Sequence, residues 1–124
     1  MTISALFNPT PLFAGGEDFT HRTVTILTGA SYKRGQLLGR ITASDKYTAS
    51  LAGASDGSQL AAGMAILATD VDASGGDVVA PVYMEGEFAF EAMIVDVSWS
   101  FATLDAALRQ ASSAIFIRSV GVNG

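Results

Sequence analysis

The pattern of apolar and polar positions divides the chain into three stretches. Residues 23–97 carry the two-residue period of β-strands. Thr23–Thr28 (TVTILT) alternates and is β-branched, which predicts a strand ended by Gly29. Lys33-Arg34-Gly35 reads as a turn, and Leu37–Thr42 (LLGRIT) as a second strand with Gly39 inside it. A glycine within a strand marks a bulge or a close backbone approach. Ser44-Asp45 turns the chain into a short strand at Lys46–Ala49, and a small-residue loop follows from Ser50 to Ser58, with the turn pair Asp56-Gly57. Ala61–Thr69 (AAGMAILAT) is an apolar run of strand length whose small side chains suit tight packing against another sheet. Asp70–Asp77 is polar and glycine-rich and reads as a loop. Val78–Met84 resumes the strand pattern; Pro81 cannot donate to a ladder, so this strand is expected at an edge or bulged. Gly86–Ala92 alternates, with Phe88 and Phe90 on one face and Glu87, Ala89 and Glu91 on the other.

The period changes near the C-terminus. Thr103–Ala111 places Leu104, Ala107, Leu108 and Ala111 on one helical face. Thr103 is the expected N-cap, Asp105 the first-turn acid, and Asp105 and Arg109 are i,i+4 partners. Ala114–Val120 alternates again, with Ile115 and Ile117 inward. No internal repeat is visible. The predicted fold is mainly β with minor α content: a small single β domain, barrel- or sandwich-like, with one short helix near the C-terminus.

Residues 1–22 lack the pattern of a packed element. Pro9 and Pro11 favour extended backbone, and Gly15 and Gly16 loosen the chain. Yet Ala5, Leu6, Phe7, Leu12, Phe13 and Phe19 are apolar, and a solvated tail has no use for so many large apolar groups. These residues either cover the domain's own core or form an arm that docks on a partner. Twenty extended residues reach about 66 Å at ~3.3 Å each. The expected division is an extended N-terminal arm at 1–22 and a β-rich domain at 23–124.

Composition narrows the function. The chain has 124 residues, 49% of them hydrophobic and 15% charged, enough apolar content for one core and too much for a disordered chain. Low charge also suits a subunit that buries surface in an assembly. Seven Lys and Arg against 12 Asp and Glu leave a net charge of −5. Nucleic-acid affinity comes largely from phosphate neutralisation, so this balance argues against that partner. The charge is uneven: residues 1–22 carry −1, residues 23–70 carry +1 and residues 71–124 carry −5. With no cysteine, neither a disulfide framework nor a thiolate nucleophile is available. No signal peptide or apolar run of membrane-spanning length is visible, so a soluble chain made and used in a cytoplasm is expected.

Candidate chemistry is sparse. His21 is the sole histidine and adjoins the arm, a poor place for a held catalytic imidazole. No G-x-S-x-G elbow occurs. Asp70, Asp72, Ser74 and Gly75 match the start of a calcium loop, but Pro81 stands where a bidentate Glu is needed. Glu87 and Glu91 would lie on one strand face roughly 13 Å apart, too far for a glycosidase pair, and Glu85 and Glu87 would point the same way. Gly35 and Gly39 lack the Lys-Ser/Thr of a phosphate loop. The residues thus point away from an enzyme, with no cofactor and no metal expected, and towards a compact β domain with an adhesive arm.

Several ordered blocks carry a resemblance. They are Arg22 to Gly29 (R-x-V-T-I before a Gly), Gly35 to Tyr47 (G-x-x-L-G-x-I-T then S-x-K-Y), Asp56 to Ser58, Ala61 to Leu67, the D-V-D-A and G-D-V pair, and a strand ending M-E-G-E-F. An Ala- and Leu-rich helix and an I-x-I-R strand follow. In order and spacing these blocks, over about residues 22–120, resemble the lambda-type head decoration proteins of tailed bacteriophages. The resemblance implies a structural virion protein. Such proteins form homotrimers on the outer surface of the expanded capsid, at local three-fold positions, and cement the major capsid protein against internal DNA pressure. It also implies a capsid-binding role for Ala5, Leu6, Phe7, Pro9, Pro11, Leu12, Phe13 and Phe19, where this arm is richer in large apolar residues than lambda's pattern. The protein would be made in the host cytoplasm, with neither nucleic acid nor membrane as partner. The alternatives are another phage β module, such as a tail-tube or fibre subunit or a carbohydrate-binding decoration domain, and a small hydrolase built around His21. Sugar stacking would need Tyr32, Tyr47, Tyr83 and Trp99 together on one exposed face, whereas Trp99 is expected to pack.

Overall fold

A computed structural model describes residues 21–119 of the protein. Five strands close a small barrel in the order β1 (His21–Ile26), β4 (Tyr47–Ala49), β3 (Leu37–Arg40), β5 (Ala65–Leu67) and β7 (Val78–Tyr83). The barrel interior takes Ile26, Leu38, Tyr47, Ala65, Leu67, Ala80 and Val82, so every strand contributes, and Val71 and Ala73 join them. Side chains fill so small a barrel and leave no channel.

A second core lies outside the barrel wall. Leu37, Ile66 and Tyr83 turn outward from β3, β5 and β7 and meet Phe88, Ile115, Ile117, Leu104 and Leu108. These last come from β8 (Gly86–Ala89), β9 (Ile115–Arg118) and the helix α1 (Phe101–Gln110). β8 and β9 pair in parallel, Gly86 opposite Ile115 through Ala89 opposite Arg118. A parallel pair needs a long crossover, and the chain that carries α1 provides it. The two cores share a wall, so β3 and β5 are buried on both faces.

That wall explains where the sequence pattern and the fold part company. Ala61–Thr69 was expected as one strand, but only Ala65–Leu67 pairs; Ala61–Gly63 forms a 3-10 turn that enters it. Alternation after Phe88 also stops early. β8 ends at Ala89 and Phe90–Ala92 is a 3-10 turn, so Phe90 and Glu91 are not on the strand faces expected of them. Phe90 packs edge-on against Phe101 at 5.4 Å between ring centres. Within Asp70–Asp77, expected to be loop throughout, Val71–Asp72 forms β6 and pairs with β2 (Ser31–Tyr32).

Pro81 does not mark an edge. β7 pairs with both β1 and β5. The Pro81 carbonyl accepts from the Ala68 N–H at 3.0 Å, so its missing donor also faces β5, where the Leu67–Val82 ladder ends. The helix begins earlier than expected: Ser100, not Thr103, is the N-cap. The Ser100 hydroxyl accepts from the Thr103 N–H at 3.2 Å, and the Thr103 hydroxyl accepts from the Ser100 N–H at 2.9 Å, a reciprocal capping box. Asp105 therefore lies beyond the first turn, away from the helix N-terminus. It does pair with Arg109, at 3.7 Å.

Candidate interaction surface

The acidic loop once compared with a calcium site is a loop staple. Asp72 accepts from the Ser31 hydroxyl at 2.8 Å, the Ser74 N–H at 3.0 Å and the Ser74 hydroxyl at 2.6 Å. Asp70 accepts from the Arg34 N–H at 2.9 Å, and Asp77 pairs with Lys46 at 2.7 Å. Among the described residues no group of three or more His, Cys, Asp or Glu is placed to hold a metal ion. The same Asp-x-Ser device recurs at Asp56–Ser58 and Asp96–Ser98, where the carboxylate accepts from the Ser N–H two residues on. Glu87 pairs with Arg118 across β8 and β9 at 3.2 Å, and Glu91 accepts from the Ser119 hydroxyl at 2.6 Å.

These staples predict an acid response. Hydrogen bonds from Ser74, its side chain first and then its backbone, and from the Ser31 hydroxyl hold the Asp72 carboxyl down at about 2, against 3.8 ordinarily. A depressed carboxyl contributes stability above its unfolded value and loses it as pH falls through its folded value. Asp72→Asn should therefore lower the thermal midpoint by a constant amount above about pH 5, and the gap from the parent should close between 3.8 and about 2. Thermal melts across that range check it.

The aromatic residues do not gather into a sugar-stacking platform. Tyr47 and Tyr83 are buried, in the barrel and in the outer core respectively. The Tyr32 hydroxyl is engaged by the Ala49 N–H at 3.3 Å. Trp99 packs on the outer core, as expected, and its indole N–H donates to Ser50 at 3.3 Å. The tryptophan thus works as packing, and the fourfold cluster that sugar binding required is not formed.

Two surface features stand out instead. The first is an apolar rim. The Leu37 N–H donates to the Ile94 carbonyl, the Ser50 N–H to the Leu37 carbonyl, and the Ala52 N–H to the Ser98 hydroxyl, so three segments lie side by side. On them Leu51 is 43%, Ile94 41% and Val97 97% exposed. The Asp96–Ser98 turn, in which the Asp96 carboxylate accepts from the Ser98 N–H, carries Val97 at its exposed middle position. Phe116 is also exposed, but the Arg109 guanidinium covers its ring at 4.2 Å while donating to the Ile115 carbonyl at 2.7 Å.

The second feature is a side of β1 that is largely unpaired among the described residues. This strand pairs with β7 along its whole length, from His21 opposite Tyr83 to Ile26 opposite Val78. It meets β4 only at Ile26 opposite Tyr47. Beside the remainder is an open cleft of about 310 Å³, formed by Arg22–Thr25 with Asp45, Tyr47 and Met84. The arm residues Ala5, Leu6, Phe7, Pro9, Pro11, Leu12, Phe13 and Phe19 lie outside the described residues. His21 is in β1 by its backbone, at the point where the arm would leave the barrel. The sequence pattern pointed to neither the rim nor the cleft, because both depend on which segments lie together.

Among the described residues no helix is long and apolar enough to cross a membrane. Comparison with curated proteins finds no match. The family model described as bacteriophage lambda head decoration protein D matches residues 4–117, taking in most of the arm and the whole barrel. A match over residues 4–117 spans most of the chain, and the chain belongs to the family of bacteriophage lambda head decoration protein D, structural components of the phage capsid.

Proposed function

We propose that the protein is a cementing subunit. It forms a homotrimer, binds the outer surface of the expanded capsid at local three-fold positions, and ties neighbouring major capsid proteins together against the pressure of packaged DNA. The observation that carries this reading is the family match, which begins at residue 4 and so takes in the arm. The net charge of −5 suits a protein on the outer face of the shell, away from DNA, and the role needs no catalysis, metal or cofactor.

The arm supplies the capsid contact. Added as an extended strand, it would give backbone hydrogen bonds, with Leu6, Phe7, Leu12 and Phe13 filling pockets on the coat. Each buried apolar side chain contributes about 1.5–3 kcal/mol gross. Ordering the arm costs roughly 1–2 kcal/mol per residue. One arm therefore binds weakly. Three arms on one trimer add avidity on the order of 10²–10⁴, which makes trimerisation part of the binding mechanism. The rim of Leu51, Ile94 and Val97 offers apolar area for subunit contacts.

Deleting residues 2–14 should leave a folded trimer that no longer decorates shells. Co-sedimentation with expanded capsids, alongside circular dichroism of the truncated chain, reads this directly. A truncated chain that still saturates expanded shells would remove the arm from the account.

A further inference from the structure

Strand β9 is an edge strand. It pairs with β8 on one side and with no other strand among the described residues. Backbone parity fixes which of its groups face outward. The Gly86 N–H donates to the Ala114 carbonyl at 3.1 Å, so Ala114, Phe116 and Arg118 direct their backbone groups to β8. Ile115 and Ile117 direct theirs to the outer edge. The segment is also of a kind that pairs readily. Residues 114–119 (AIFIRS) are mostly apolar, rich in β-formers, free of Pro and Gly, and carry a single charge. Left bare, such an edge is a template for another chain.

The edge is not bare at Ile115. Its carbonyl accepts from Arg109 Nη2 at 2.7 Å, and its N–H donates to the Ser113 hydroxyl oxygen at 3.0 Å. Both outward groups of Ile115 are thus held by side chains. Leu104 and Leu108 bring α1 against Ile115 and Ile117, while Phe116 lies on the opposite, exposed face. Arg109 starts on the helix, bonds at the edge, and ends with its guanidinium 4.2 Å from the centre of the Phe116 ring. Its side chain therefore wraps the edge from one face of the strand to the other. The planar guanidinium can donate to a carbonyl and stack on a ring at once, which a lysine ammonium cannot.

We propose that Arg109 and Ser113 form a guard that keeps β9 from pairing, edge to edge, with β9 of a second copy of this chain. The segment is self-complementary. Laid antiparallel about Phe116, two copies would set Ile115 of each opposite Ile117 of the other, with the two Phe116 rings neighbours on one face. The central hydrogen bonds of that pairing all run between Ile115 of one copy and Ile117 of the other. Holding both outward groups of Ile115 blocks them together, so Ile117 needs no guard of its own. The inference stands apart from the cementing reading, because it concerns a contact that the free chain avoids.

The test uses the full-length protein carrying Arg109→Ala and Ser113→Ala together, with Arg109→Ala alone as the milder change. The double variant should reach at least about twice the parent's mass in sedimentation, rising with concentration, and the single variant should shift the same way. Hydrogen exchange followed by NMR should show the Ile117 N–H slowing at least about tenfold from dilute to concentrated double variant, and not in the parent. Arg118→Ala is the control. It removes a cation that pairs with Glu87 across β8 and β9, without touching the outer edge, and should keep the parent's mass. A double variant with the parent's mass at every concentration would overturn the proposal; if that variant does not fold, the single variant decides in the same way. Equal association of Arg118→Ala would assign the effect to lost charge and overturn it too. So would association with Ile117 exchange unchanged, which would place the contact elsewhere. Because masses are read against the parent, failure of trimerisation or capsid binding would leave these readouts unaffected.

Discussion

Gly39→Ala should destabilise the domain by about 3 kcal/mol, the upper end of the usual cost of overpacking and a large part of the 5–15 kcal/mol that holds a typical domain folded. Gly39 sits in β3 opposite Thr48, and the chain at Ser58 crosses directly over it. An added Cβ would overlap the Ser58 carbonyl oxygen and press on its Cα at 2.8 Å. Backbone can sometimes give way, but here it is held. The Ser58 carbonyl accepts from the buried Ser50 hydroxyl at 2.7 Å, and the Ser58 N–H and hydroxyl both donate to Asp56. Gly53→Ala is the control. Nothing lies within 4 Å of its added Cβ, so its stability should stay within about 0.5 kcal/mol of the parent. Urea unfolding of the three proteins checks both; equal midpoints would mean that the Ser58 crossing is not fixed.

Phe88→Ala should cost about 3–5 kcal/mol. Phe88 is fully buried at the centre of the outer core, 6.1 Å from Tyr83 between ring centres. It joins the barrel wall at Leu37 and Ile66 to the helix residues Leu104 and Leu108. Removing the ring leaves a cavity bounded by two strand ladders and a helix, none of which can collapse freely into it. Phe88→Leu keeps most of the volume and should cost less than about 1.5 kcal/mol. Calorimetric midpoints separate the pair. A Phe88→Ala protein as stable as Phe88→Leu would contradict the packing described.

Much of this fold was legible in the order of residues. The strands of β1, β3, β4 and β7, the inward Ile115 and Ile117, and the close approach at Gly39 follow from local period and side-chain size. What escaped has physical causes. β3 and β5 are buried on both faces, so period two is erased in LLG and AIL. Ala61–Gly63 could then pass for strand, since an apolar run looks alike in strand and 3-10 turn. Ser100 was missed as a cap because its partner is Thr103, in place of the usual Glu or Gln. Pro81 was read from its missing donor alone, without knowing which neighbour that donor would face. The Asp-x-Ser staples are visible as a repeated tripeptide at residues 56, 72 and 96, but a tripeptide alone does not say which side chain its carboxylate will hold. The surface features were the least legible. Val97 is one residue in a loop until the Ala52–Ser98 hydrogen bond brings its segment beside that of Leu51, and among the described residues β4 pairs with β1 at Ile26 alone, which no local pattern announces.

The central claim is that this chain acts as a trimer that recognises the expanded shell. The direct measurement is the solution mass of the full-length protein by analytical ultracentrifugation, alone and then mixed with expanded or unexpanded capsids. The account predicts a particle of three 12.8 kDa chains that sediments with expanded shells and leaves unexpanded ones bare. A monomer at working concentration, or equal uptake by both kinds of shell, would contradict it.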